Sequence, residues 1–566
     1  MAESSAKAII KTNNYTIKKV YLKFLKLCAM GVLASTVGVV CDSFIAGNYI
    51  SENAISAISL SNPVYLLSTM VFMIFSLGGA TVSSQFAGQG NFDKTSLIYT
   101  ISMKIGLLVS CILGAVIFLF RVPIIQAFGA ADPEVIAMAS DYIIGLCISM
   151  PFVLIFNASM SFIGLDGSPQ IGFLATVVMA VSKIALDILF CAVLRFGIMA
   201  VSLTTGISAL LGYLVCRLHF RKKYCTLKFV PLQGNLNLLG LILITGFPNA
   251  VTFLWNAIRG IITNHVLVSA GGLNAVAASG VSDNISSLLT VVVMSFGYAM
   301  TSFLGLFYGE KDKRSMHDVF AVALKMGLIS SAVCSVLIFA SSSFLPHVFG
   351  LKDATALAYA TSAIRFLASY FIAIGFFYLF MYTYQSTRHT LLANYVVLAK
   401  TLLFFVPILF LLSSALGVTG IWMAQSVSDW LALISLLIMI LIRTRKLSIN
   451  SLLLLPKDFD DITLYADVSV YYTQHSLQIF SDTLIHRVSK EIHDRTILAA
   501  RNVIAQGPET DRKTFDIRIA EIDGKTTIRM RYCGVPFNAA ADISGTRYQY
   551  SLGFNTIVIP IAVAQE

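Results

Sequence analysis

The chain has little charge. Of its 566 residues only 12% are Asp, Glu, Lys or Arg, while 57% are hydrophobic and the mean hydropathy is +0.80. A soluble globular protein carries about a quarter of its residues as charges, so one surface around one core is excluded here. Proline is scarce, 13 residues against 39 phenylalanines, as expected where many long helices lie in lipid. The nine cysteines stand singly, mostly inside apolar runs, without the spacing of a metal site or a disulfide framework. They read as small apolar packing residues, and no metal is expected. Acidic residues are outnumbered, 29 against 40 basic ones, for a net charge of +11. The basic residues fall in short loops between apolar runs rather than in one patch, so no nucleic-acid partner is expected. The first apolar run lacks an A-x-A-like end, and no cleaved signal peptide is expected.

What is present is a series of twelve apolar runs, near 27–47, 55–84, 97–120, 135–160, 170–193, 198–218, 237–260, 275–304, 317–341, 357–384, 390–413 and 418–442. Each is long enough for a membrane helix, which takes about 20 residues. The connecting segments differ in charge by side. Nineteen Lys and Arg lie on one side, among them Lys18, Lys94, Arg221, Lys313 and Arg388; the other side has three, Arg121, Arg195 and Lys352. The positive-inside rule then places both termini in the cytoplasm of a multi-pass plasma-membrane protein.

The chain repeats. Phe75–Lys94 matches Met294–Lys313 at an offset of 219, with Gly78 on Gly297, Ala80 on Ala299, Ser83 on Ser302, Gly90 on Gly309 and Asp93-Lys94 on Asp312-Lys313. Six helices per half is an even number, so the halves run parallel about an axis along the membrane normal. The expected fold is an all-α polytopic membrane protein of twelve transmembrane helices in two parallel six-helix lobes. Lobe 1–232 and lobe 233–448 would face each other across a central cavity. From residue 449 the composition changes: residues 451–566 hold 26 charged residues in 116, against 43 in the preceding 450. Strand-like alternation at 514–520 and 526–532 follows a helical stretch at 476–505. A small soluble α/β domain over 449–566 is expected on the cytoplasmic side.

The fifth run, 171–193, contains Lys183 and Asp187, four apart and so on one helix face. An ionisable residue inside a membrane helix costs roughly 2.5–3.5 kcal/mol on insertion scales, which marks it as functional by default. The alternative is an intrahelical pair that only makes insertion tolerable. Asp42 lies in the first run, and Asp283 and Asp429 in runs eight and twelve. The last two either face a cationic substrate in the cavity or pair with Arg259, Lys325, Arg365 or Lys400.

CDSFIAG at 41–47, SFIGLDGSPQ at 161–170, KIALDILF at 183–190, SLTTGIS at 202–208 and ITGFPNAV at 244–251 together resemble the signatures of the multidrug and toxic compound extrusion (MATE) family, over residues 20–445. The resemblance implies a transporter rather than an enzyme, with no catalytic residues. It would export small organic compounds, amphipathic or cationic, by alternating access in exchange for protons or sodium. It also implies a cation or proton site in the first lobe. Asp42, Asp187 and Thr205 match its members, Asn157 matches its fourth-helix amide, and Lys183 stands where the family has Asn. An ammonium there competes with a cation for the same carboxylate. The tail resembles a GHKL-type nucleotide-binding domain of the anti-sigma-factor kind, on DIRIAEIDGKTTIRMRYCGVPFN at 516–538 and SLGFNTIVI at 551–559. Asn502 fits its magnesium-holding Asn, but Leu498 replaces the Glu, and Tyr532 and Cys533 before Gly534 replace the acidic pair. That implies a vestigial nucleotide site, no ATP cofactor, and a tail that serves regulation or docks a cytosolic protein, or is passive. Two other functions remain open: a flippase of the wider superfamily for lipid-linked or oligosaccharide substrates, and a membrane-anchored regulator acting through its tail.

Overall fold

A computed structural model describes residues 17–31, 50, 52–127, 133–222, 225–232, 236–348, 353–447, 452–456, 459, 462–505, 514–522, 525–533, 538, 543, 545–552 and 554–561. In lipid no water can satisfy a bare backbone, so apolar runs of this length must close their hydrogen bonds within themselves as helices. Eleven helices among the described residues are long and apolar enough to span a membrane, and they coincide with runs two to twelve. Most of the first run lies outside the described residues; its beginning is part of the helical stretch 17–31, here α1. Helix α2 is Glu52–Met73 continued through a π turn, Ile74–Gly78, into Gly79–Gly88. Then come α3 Phe92–Ala127, α4 Pro133–Leu165, α5 Pro169–Asp187 ending in a π turn Ile188–Val193, and α6 Ile198–Cys216.

The path Leu236–Gly309 is two helices, α7 and α8, reversed at Gly272, whose φ of +64° is a left-handed conformation that side chains other than hydrogen resist. They are followed by α9 Lys313–Ala340 and α10 Ala354–Ser386. Helix α11 runs Thr390–Leu398, a π turn Ala399–Leu403 and Phe405–Leu416, and α12 is Val418–Leu447.

Among the described residues, the apolar cluster shared most widely by the two halves lies toward one end. At the end carrying the α2–α3 and α8–α9 turns, a single apolar cluster holds Leu77, Ala87 and Leu165 of the first half and Phe296, Phe303 and Phe307 of α8. At the opposite end the apolar clusters stay within one half each, around Ile143 and Val201 in the first and Leu267 and Phe405 in the second. Close approach of α2 and α8 is a matter of small residues. A Cβ on Gly309 would collide with the Gln85 carbonyl, one on Gly305 with Ser84, and one on Gly88 with the Leu306 carbonyl. Residues 305 and 309, like 84 and 88, are four apart, the small-xxx-small spacing that lets membrane helices touch backbone to backbone. Polar clasps complete the seam. Gln85 donates to the Ser386 carbonyl at 2.9 Å and accepts from Arg388 Nε at 2.8 Å. Within the second half, Asn249 of α7 donates to Gln385 of α10 at 2.7 Å, which donates in turn to the Thr245 carbonyl at 2.8 Å and steadies the α10 end that Gln85 grips.

The C-terminal domain is a five-stranded antiparallel sheet in the order β1-β2-β3-β5-β4, with β1 Thr463–Tyr471, β2 Thr514–Ile522, β3 Lys525–Cys533, β4 Arg547–Ser551 and β5 Phe554–Ile561. Two amphipathic helices, α13 Gln474–Leu484 and α14 Lys490–Ala505, cover one face. The period of two sends Phe515, Ile517, Ile519, Ile528, Met530, Ile557 and Ile559 into that core. The helical stretch expected over 476–505 is thus two helices, and both expected strands are present.

Candidate ion-coupling site in the first half

Lys183 and Asp187 are buried, 5% and 0% exposed, on the last turn of α5 before its π turn. The i, i+4 spacing brings them together without help from tertiary structure: Lys183 Nζ donates to Asp187 Oδ1 at 2.8 Å and Oδ2 at 2.6 Å. The rest of the shell comes from α6. The ammonium also donates to the Val201 carbonyl at 2.9 Å and reaches Thr204 Oγ1 at 3.1 Å. Thr204 in turn makes a very short hydrogen bond to Asp187 Oδ1. Charges this deep survive only when paired and hydrogen-bonded on every side, which is the case here. π turns inside helices concentrate at functional positions, because they re-aim the side chains beside them.

Other residues expected at this site fall elsewhere. Thr205 bonds the Val201 carbonyl on its own helix at 3.3 Å, and no bond from it reaches the pair; Thr204, one residue earlier, takes the place expected for it. A helix turns 100° per residue, so adjacent threonines cannot share a face, and SLTTGIS gave no ground for choosing between them. Asn157 on α4 donates to the Val153 carbonyl at 2.8 Å. Its own carbonyl accepts from Ser161, which meets Tyr298 of α8 at 2.9 Å, so Asn157 sits by the seam between the halves. Asp42 and Gly534 lie outside the described residues. Tyr532 packs in the core of the C-terminal domain, with Cys533 partly buried beside it and Asn502 half-buried on α14.

In the second half, Asp429 on α12 is 3% exposed and lies 3.8 Å from Lys400 Nζ on α11. Of the four partners open to it by sequence, Lys400 is the one within ion-pair distance. Neither carboxylate oxygen of Asp429 has a hydrogen bond. Arg259 of α7 bears electrostatically on both Asp429 and Asp283, with its guanidinium 4.1 Å from the Phe405 ring. Asp283 is exposed on α8 and accepts from Ser279 at 3.4 Å. A third cluster, Asp166, His219 and Cys225, has metal-binding atom types within 4.8 Å of one another. Its carboxylate is already engaged by His219 Nε2 at 2.8 Å, by the Thr226 amide at 2.9 Å and by the Thr226 hydroxyl. That set straps the α4–α5 turn to the segment after α6.

Comparison with known proteins agrees with this architecture. The chain is 24% identical over 423 residues to the multidrug export protein MepA of Staphylococcus saprophyticus, covering 74% of this chain and 92% of that one. It is 24% identical over 439 residues to MepA of Staphylococcus aureus, covering 75% and 94%. Among solved structures it superposes with a TM-score of 0.69, at 20% identity over 76% of this chain and 97% of the other, on one described as the outward-facing conformation of a multidrug resistance MATE family transporter of the MOP superfamily. A MOP superfamily transporter from Pyrococcus furiosus matches with the same score and coverage. The MatE family model matches residues 28–189 and 248–411, one segment in each half and together more than half of the chain. The chain is therefore a multi-pass membrane transporter, not an enzyme, and belongs to the MatE family.

Proposed function

We infer that the chain is a secondary active exporter of small organic compounds, amphipathic or cationic, driven by an inward ion gradient. The observation that carries this is the buried Lys183–Asp187–Thr204 cluster, an ionisable group kept deep in a membrane helix beside a π turn. The relatives named multidrug export proteins support the substrate class. Protons fit the cluster better than sodium. The oxygens that sodium would need, two from Asp187, one from Val201 and one from Thr204, already surround an ammonium. A proton arriving on Asp187 removes the negative charge that holds Lys183, and the freed ammonium then pulls on α6 through Val201 and Thr204. The gradient is thereby converted into a shift of α5 against α6. The lysine-rich side, with both termini and the C-terminal domain, is assigned to the cytoplasm of the cell membrane. Asp283, exposed on α8, and buried Asp429, both within the electrostatic reach of Arg259, are assigned to the substrate cavity. The domain keeps a GHKL-like reading with a vestigial site, and its exposed helices remain available to a cytosolic protein.

The test is dye export in inverted vesicles under an imposed pH or sodium gradient. Asp187→Asn should abolish gradient-driven export, and Lys183→Asn should admit sodium dependence. Export by folded wild type that ignores both gradients would overturn the coupling, and export unaffected by Asp187→Asn would overturn the site.

A further inference from the structure

The sheet face opposite α13 and α14 is charged and points at the membrane helices. β2 presents Asp516 and Arg518, β3 presents Arg529 and Arg531, and β1 presents Asp467 and Ser469. Arg518 and Arg529 are directly opposite each other across the β2–β3 ladder. Like charges so placed repel, and a sheet keeps them only with counter-charges close by. The counter-charges come from the α8–α9 turn. Arg531 bonds Glu310 and lies 3.0 Å from Asp312, Arg529 is 3.2 Å from Glu310, and Arg518 is 2.8 Å from Asp312. Arg518 also donates to the Lys311 carbonyl at 3.2 Å, and Arg314 donates to the Asp467 carbonyl at 2.6 Å. Glu310, Asp312 and Arg531 are 5%, 2% and 4% exposed, so this is a buried ionic joint, not a surface contact.

The same domain grips the other half by different means. The Leu552 amide donates to the Leu165 carbonyl at the end of α4 at 3.1 Å. The Tyr550 ring lies so close to Gly167, φ +83°, that a Cβ there would sit 2.6 Å from it. Leu552 and Phe554 belong to the apolar cluster that joins the halves, with Phe554 6.1 Å from Phe303. The internal repeat explains the asymmetry. At offset 219 Glu310 corresponds to Asn91, so the α2–α3 turn has one acid, Asp93, where the α8–α9 turn has two. Only the second half offers a site for three arginines.

We propose that the C-terminal domain is a latch whose docking surface is the transporter's own closed end. Its arginine face holds the second half through Glu310 and Asp312, and its β4–β5 end holds the first through Leu165 and Gly167. Alternating access requires the halves to part at this end. Because one small domain is fixed to both, they cannot part while both attachments hold. Each cycle must release one, and any variant that weakens an attachment favours the conformation open at this end.

The test uses the full chain with spin labels on α2 and α8 at this end, measuring their separation by electron paramagnetic resonance beside vesicle export. Arg531→Glu and Glu310→Arg should each populate a longer separation and raise export severalfold, and the double charge swap should restore the wild-type distances. Leu552→Asp, which spares the charges, should act in the same direction by freeing the first half. Unchanged distances in both Arg531→Glu and Leu552→Asp, with the 452–462 linker newly open to protease, would overturn the latch. The proposal rests on alternating access but not on the coupling ion, since the distances are read without any gradient.

Discussion

The two halves each bury a lysine–aspartate pair, and the pairs differ in tightness. Lys183 and Lys400 lie on corresponding helices, α5 and α11, each interrupted by a π turn, at Ile188–Val193 and Ala399–Leu403. The turn that follows each helix contains a glycine of positive φ just before the next one begins, Gly197 at +74° before α6 and Gly417 at +59° before α12. In the first half the partner is one turn along the same helix, and both carboxylate oxygens are within 2.8 Å of the ammonium. In the second half the partner is on the next helix, at 3.8 Å. There Lys400 turns its ammonium toward the Phe377 ring, 4.5 Å away. A cavity of about 20 Å³ lined by Lys400, Asp429 and Phe377 among others has room for a single water. A pair written into one helix is closed by local geometry. One that depends on helix packing is left slack, and slack in a charged site is where a substrate or water can enter.

The largest expected effect is at the tight pair. Removing one partner of a buried ion pair costs about 3–5 kcal/mol, because the other is left uncompensated. Lys183→Ala should therefore lower the thermal unfolding midpoint of the purified protein sharply, while Lys183→Met with Asp187→Leu should recover most of the stability and none of the export. Recovery of export by the double variant would make the first pair structural and erase the contrast. Next comes the slack pair: Asp429→Asn should cost about half as much in the same unfolding assay, since no hydrogen bonds to its oxygens are lost. It should raise the KM for cationic dyes more than it lowers kcat. A loss equal to that of Lys183→Ala would show that the two pairs are equivalent.

A finer distinction lies between neighbours. Thr204→Val should cost about 1.5 kcal/mol, the low end of the worth of a hydrogen bond to a charged group, and shift the pH profile of export. Thr205→Val should leave both within error. Equal effects would place the boundary of the site elsewhere.

The smallest effect concerns the latch. Burial on the docking face pushes the Asp516 carboxyl up to about 7 from its ordinary 3.8, with Ser469 and Arg314 opposing the rise and Asp467 and Asp312 adding to it. Once released into water, the group would return toward its ordinary value. The docked form then binds the proton more tightly, so docking is strongest at low pH and weakens as pH rises from about 4 to about 7. Protease protection of the linker should be lower at pH 8 than at pH 5.5, and Asp516→Asn should remove most of the difference, the remainder coming from Asp467, which burial on the same face raises to about 6.

Legibility followed the range of the interaction. The eleven described spans, the Lys183–Asp187 pair and both expected tail strands were visible as runs and spacings, because lipid and helix geometry act over a few residues. The choice of Thr204 over Thr205 required the rotation of α6 against α5. The partner of Asp429 required the order of helices: Lys400 pairs with it, while Arg365 reaches Ser342 and Lys325 is exposed on α9. The arginines of β2 and β3 read as ordinary alternation until the α8–α9 turn lay against them.

By itself the sequence determined that this chain crosses a membrane many times in two parallel halves, and that one helix carries its own ion pair. Those properties follow from hydropathy and from side chains three or four residues apart. Tertiary structure alone decided at which end the described apolar core joins the halves, how loosely the second pair is held, and what the charged face of the C-terminal sheet lies against. Each of these depends on groups on different elements, from Lys400 and Asp429 on adjacent helices to Glu310 and Arg531 across the domain boundary, and no local pattern records the distance between them.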